Sequence, residues 1–306
     1  MKTKTIVLVL LLMLFAFAAL PAFAQQDEDV RGAFLTTRPK ANDKGNKPAA
    51  KPSHRRPKPA PGPAPGPVTG GGTTSGTSKK ALPRMGLGLT LFMRDSNGLA
   101  LRTDPSREFH KGDHVRVLLE TNADGYLYVF NTTDNGQPSM IYPDPELEEA
   151  GNYIQAHVPF EIPSSVAAEE RLRWFTFDQY PGVEKLYFVF TREPLPGTPI
   201  EDDLISFCRD KASKCPWHPA AESWAAIQKE LVEPVKIAKA DIQGASETSA
   251  EHRGATRGIG LNRDDPEPSL IMLTASTNKK ILVATLELVH KVASLAAEDE
   301  SNEVEP

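Results

Sequence analysis

The chain has 306 residues, 27 of them proline, with 35 Lys and Arg against 40 Asp and Glu and 7% aromatic residues. Proline well above the usual ~5% marks part of the chain as linker, which excludes one whole-chain globule. No apolar run reaches the roughly 18 residues of a spanning helix, which excludes a multi-span membrane protein.

The chain opens on a targeting pattern. Lys2 and Lys4 form a positive start, Ile6 to Leu20 an apolar run, and Ala22-Phe23-Ala24 a small-x-small site before polar Gln25. This predicts a secretory signal peptide over residues 1–24, cleaved after Ala24. The run is short for an anchor, and neither a cysteine near the site nor an arginine pair before the run points to lipidation or a twin-arginine route. Export as an unlipidated protein, periplasmic or extracellular, follows as an expectation, with no transmembrane segment left after cleavage.

Charge divides the remainder. Asp27 to Lys80 holds eleven Lys/Arg against four Asp/Glu, a balance of +7, whereas from Ala81 onward 22 basic residues face 36 acidic ones, a balance of -14. Residues 25–80 read as a basic linker, Pro/Lys-rich and then Gly/Ser/Thr-rich, too polar to bury the surface that ordering requires. As polyproline II, the 29 residues from Pro39 to Pro67 would reach on the order of 90 Å at about 3.1 Å per residue. Lys51, Arg55, Arg56 and Lys58 either attract an anionic envelope polymer or merely solvate the linker.

From Ala81 the pattern turns to strands. Gly86 to Met93 is followed by the turn residues Asp95-Ser96-Asn97-Gly98, and in the next run Val115, Val117 and Leu119 share one face. Tyr126 to Asn131 and Ser139 to Tyr142 continue a meander through the turns Asn122 to Gly125 and Asp134-Asn135-Gly136. Leu172 to Phe177 and Lys185 to Thr191 follow, the latter alternating Leu186, Phe188 and Phe190 against Tyr187, Val189 and Thr191. Short strands at such spacing predict a mostly β domain over residues 81–292, an antiparallel β-sandwich of generally immunoglobulin-like architecture.

A helical insertion interrupts it at about 198–232. Thr198-Pro199-Ile200-Glu201 combines an N-cap residue, a first-turn proline and a third-position glutamate, predicting a helix to about Arg209, and Pro219 to about Leu231 predicts a second. After a polar stretch at 243–258, Leu270 to Thr274 and Ile281 to His290 form an expected C-terminal hairpin, and residues 293–306 an acidic tail. Cys208 and Cys215 are the two cysteines, and in an oxidising compartment they are expected to pair. Their spacing is not the C-x-x-C of a redox centre.

The search for chemistry finds no catalytic, cofactor-binding or metal residues. No H-E-x-x-H, G-x-S-x-G, P-loop or dinucleotide turn occurs, and His110 with His114 precedes a strand instead of lying on a helix. The acidic run Asp144 to Glu149 lacks the order of a calcium loop and reads as solvated. Trp174, Tyr180 and Tyr187 suit either a sugar-stacking platform or ordinary packing.

Three stretches carry a resemblance: Phe109-His110-Lys111-Gly112-Asp113-His114-Val115-Arg116-Val117, Asp124-Gly125-Tyr126-Leu127-Tyr128-Val129-Phe130, and Gly136 with Met140-Ile141-Tyr142-Pro143. Together with Pro181-Gly182 and the strand to Pro194, they resemble the bacterial domain of unknown function 4384 over about residues 109–194, and the final hairpin, to residue 290, resembles a C-terminal extension of its longer members. The resemblance implies a compact β domain, often exported or joined to kinase-like or caspase-like modules, with no catalytic residues to carry over. Its shared positions, Gly112, Asp113, Gly125, Tyr126, Tyr128, Gly136, Tyr142, Pro143, Pro181 and Gly182, imply a scaffold.

The resulting expectation is an exported, non-enzymatic binding module of the cell envelope on a long Pro-rich spacer, without a cofactor. Its partner would be an envelope protein or anionic cell-wall polymer, not nucleic acid. The alternatives are a secreted hydrolase whose site is assembled from scattered loops, and an anchored envelope-spanning spacer.

Overall fold

A computed structural model of the chain describes residues 27–41, 54–56, 83–146 and 150–292. The expected signal segment with Ala22, Ala24 and Gln25, most of the Pro-rich stretch and the acidic tail lie outside the described residues.

Among the described residues two sheets pack face to face. The first holds seven strands in the order β11 (Val235–Lys239), β12 (Leu270–Thr274), β1 (Gly86–Arg94), β4 (His114–Thr121), β8 (Phe160–Ile162), with β2 (Ala100–Arg102) on β1 and β9 (Phe175–Thr176) on β4. The second holds six in the order β3 (Glu108–Phe109), β13 (Ile281–His290), β10 (Gly182–Thr191), β5 (Gly125–Thr133), β6 (Ser139–Tyr142), with β7 (Tyr153–Ile154) on β5. Pairing is antiparallel except between β3 and β13.

Period-two patterning explains the core. Leu87, Leu89 and Leu91 of β1 and Val115, Val117 and Leu119 of β4 meet Leu127, Val129, Leu186, Phe188, Phe190 and Leu286 of the opposite sheet in one buried cluster. Each such side chain contributes roughly 1.5–3 kcal/mol when fully buried. The mostly β sandwich expected from the sequence is therefore the fold.

Two connections differ from expectation because period two defines strand faces but not strand partners. The meander holds between β5 and β6, which pair, but β4 and β5 lie in different sheets. The last two strands do not form a hairpin: β12 pairs β1 and β11, whereas β13 pairs β10. The first insertion helix, α2 (Glu201–Asp210), starts after the expected Thr198-Pro199 cap, with Ile200 at its N-cap. There the Glu201 amide donates to the Ala150 carbonyl at 2.9 Å, tying the first residue of the helix to the body.

Both outer faces are covered. On the second sheet, Tyr126, Tyr128, Phe130 and Tyr187 lie under α2 and α3 (Ala221–Glu230), with the Trp224 ring edge-on to Phe130 and Tyr187 at 5.5 and 4.8 Å. On the first sheet lie two helices that the sequence reading omits, α1 (27–35) and α4 (Ser249–Arg257). The linker expected from residue 25 thus does not start there, since Val30 and Phe34 are fully buried against Ile271 and Leu273.

Candidate functional site

Five of the shared motif positions, Gly112, Asp113, Gly136, Pro181 and Gly182, build one end of the sandwich. Gly112, at φ 89°, takes the left-handed turn that closes Lys111-Gly112-Asp113, and its amide donates to the Phe177 carbonyl at 2.9 Å. The His110 amide donates to the Asp113 carboxylate at 3.0 Å, and the Phe177 amide to the Asp113 carbonyl at 3.0 Å. This clip holds β9 and the following loop beside β4.

Asp134 and Asn135 turn the chain after β5 with φ of 50° and 58°, and the Gly136 amide closes the turn on Thr133 at 2.8 Å. Asp134 then accepts the Val183 amide at 2.8 Å, which brings Pro181 and Gly182 to the same end. At the opposite end of β5, a Cβ on Gly125 would press on the Thr191 carbonyl and lie 2.6 Å from the Phe190 ring, so only glycine lets the start of β5 lie so close to the end of β10.

Between these turns the sheet ends splay around a cavity of about 520 Å³. Its floor is apolar, with Val115 and Phe175 from one sheet and Ile141, Leu186 and Leu288 from the other. Phe177 and buried His290 close the back with their rings 5.2 Å apart. Tyr180 stands 70% exposed at the mouth beside Pro181.

The polar lining is acidic. Asp134, Asp178 and Glu184 line the cavity, and among the described residues no Lys or Arg does. Glu184 lies in the row of β10 that continues inward as Leu186, Phe188 and Phe190. Its carboxylate accepts Asn131 Nδ2 at 2.9 Å and Thr133 Oγ1 at 3.0 Å, and no cation among the described residues pairs with it. A negative charge at the edge of an apolar floor, held only by neutral donors, favours a positively charged visitor.

A second, more polar cleft of about 330 Å³ lies on the outer face of the first sheet. Arg116 lies over the Trp174 ring at 4.3 Å and bridges Glu161 at 3.1 Å and Glu247 at 3.2 Å. Burial and the adjacent Glu161 carboxylate push Glu247 up to about 8. Ser165 and His252 share this lining, with His252 Nδ1 3.3 Å from Glu247.

The remaining expected positions serve structure. Tyr126 and Tyr128 face α2 and α3, the Tyr128 hydroxyl accepting the Leu195 amide at 2.9 Å. Tyr142 is in the inner core, stacked on Phe160 at 5.3 Å, and burial pushes its phenol up. Pro143 follows it and ends β6. Cys208 and Cys215 are disulfide-bonded, their Cα atoms 5.5 Å apart. Trp174, Tyr180 and Tyr187 do not form a platform: one lies under Arg116, one at the cavity mouth and one under Trp224. Among the described residues no group of three His, Cys, Asp or Glu is placed to hold a metal ion.

This end of the sandwich coincides with a family segment. Residues 108–194 match the family described as Domain of unknown function (DUF4384). The match starts at β3 and ends just after β10, so the DUF4384 segment supplies most of the cavity, while Leu288 and His290 come from β13 outside it. Neither the curated proteins nor the solved structures contain a match to this chain. The sequence reading named Pro181, Gly182 and Tyr180 but missed Glu184, Asn131 and Thr133. The available signal was a lone glutamate in the inward phase of an otherwise apolar strand.

Proposed function

We propose that the protein is an exported, non-enzymatic binding module whose cavity takes a ligand with an apolar body and a cationic group, such as a basic peptide side chain. The observation that carries this reading is Glu184, an inward-facing carboxylate beside the apolar floor and without a cation partner among the described residues. Tyr180 adds an exposed ring that a cation or an aromatic group can cover. The signal-like start supports export, and the Cys208–Cys215 disulfide suits an oxidising compartment. Calorimetric titration of the purified protein with short Phe-Lys and Phe-Glu peptides is the test. Binding of the lysine peptide, weakened about tenfold or more in Glu184→Gln and Tyr180→Ala, is the expected result. Equal binding of both peptides, or none of either, would refute it.

The second reading, a secreted hydrolase, draws on the cleft at Glu247, where a raised carboxyl lies close to His252 and a Ser165 hydroxyl shares the lining. Turnover of generic ester, peptide or glycoside substrates that Glu247→Gln abolishes would establish that reading over the first.

A further inference from the structure

The basic N-terminal segment meets the body at three places. At the first, α1 buries Val30 and Phe34 against Ala238, Ile271 and Leu273, and Gly86 leaves the room: a Cβ there would lie 2.7 Å from the Phe34 ring. Just beyond, Arg38 is 1% exposed and forks onto Glu120 at 2.9 and 2.6 Å. It also donates to the carbonyls of Asn262, Asp265 and Pro266 at 3.2, 2.9 and 3.1 Å, while Arg263 donates to the Arg38 carbonyl at 2.9 Å. At the rim, Arg31 pairs Glu267 at 2.8 Å and Asp29 pairs Arg84 at 3.3 Å.

Residues 54–56 form the second attachment. The Tyr153 amide donates to the His54 carbonyl at 2.7 Å, and the His54 ring packs edge-on to Phe160 at 5.6 Å. Arg55 pairs Asp202 at 2.7 Å, and the Arg56 amide donates to Glu201 at 3.2 Å. The third is where the chain rejoins the body, with Arg192 donating to the Pro83 carbonyl at 2.6 Å and Met85 fully buried.

We infer that residues 27–41 are not the start of a spacer but a part of the body, which the chain leaves at residue 41, meets again at residues 54–56 and rejoins at residue 83. The outer face of the first sheet is then a docking surface whose occupant is this chain's own residues 27–41. A spacer needs one free end, whereas here residue 41, residues 54–56 and residue 83 all belong to the same folded unit. This inference does not depend on the ligand reading of the cavity.

The test is to insert a site-specific protease sequence between Gly70 and Gly71 of the full chain, cut it, and run gel filtration and native mass spectrometry without denaturant. The two fragments are expected to stay together one to one, with peptides from 27–41 still protected from hydrogen exchange. Release of the N-terminal fragment while the body keeps its disulfide and circular dichroism would overturn the inference. Phe34→Ala with Arg38→Ala is expected to weaken retention about tenfold or more. Should that variant aggregate, complete exchange of the Thr36 to Arg38 amides within seconds in the uncut wild-type chain would equally overturn it.

Discussion

Arg38 and Glu120 are nearly sealed from water, at 1% and 3% exposure, and His157 Nδ1 completes the group 2.7 Å from Glu120. Burial alone would raise the Glu120 carboxyl, but hydrogen bonds from His157 and Arg38 outweigh it and hold the group below its ordinary value. Removing one partner leaves a buried charge, so Arg38→Ala is expected to cost about 3–5 kcal/mol in urea denaturation. The depressed carboxyl stabilises the fold above its unfolded value, and that contribution is lost as pH falls through the folded one. Glu247 has the opposite sign. Raised from 4.5 to about 8, it contributes stability that is fully present below 4.5 and lost as pH rises through about 8. Glu247→Gln should therefore flatten the decline in denaturation midpoint between about pH 5 and about pH 9, and an unchanged decline would show that the raised carboxyl is not its source.

At the scale of elements, the disulfide links the end of α2 to the segment entering α3, the pair that covers the second sheet. Replacing both cysteines by alanine should lower stability by about 2–3 kcal/mol and speed hydrogen exchange in α2, leaving the core strands protected. The long strands β1, β4, β5, β10 and β13 were legible because each alternates, as Leu186 to Thr191 does, whereas the short β2, β3, β7, β8 and β11 were not read, and the strand expected over Leu172 to Phe177 is a 3-10 turn at Glu170–Arg173 followed by the two-residue β9. Two further elements carried signals that went unread. Thr248-Ser249-Ala250-Glu251 is a capping box, realised with both reciprocal bonds at the start of α4. In α1, Val30 and Phe34 stand four residues apart on one helical face, masked by the polar linker that follows them. Strand partners were not legible, because β12 and β13 have the same alternation whether they pair together or pack across the core.

At the scale of the molecule, the body is four layers: α1 and α4, two sheets, then α2 and α3. The cavity opens where the sheets end, and the docked N-terminal segment lies across the outside of the first sheet. These features separate experimentally: Glu184→Gln should leave the N-terminal fragment bound after cleavage, and loss of that fragment in this variant would show that the cavity and the docking face are coupled. By itself the sequence determined the local matters: the export-like start, the basic and acidic halves, the strand faces, the turns at Gly112 and Asp134, and the cysteine pairing that proximity allows. Tertiary structure alone decided which strands share a sheet, where the basic segment comes to rest, and that Glu184, Asn131 and Thr133 meet at the edge of an apolar floor. The physical reason is that periodicity reports the surroundings of each residue one strand at a time, whereas a cavity and a docking face depend on residues brought together from distant parts of the chain.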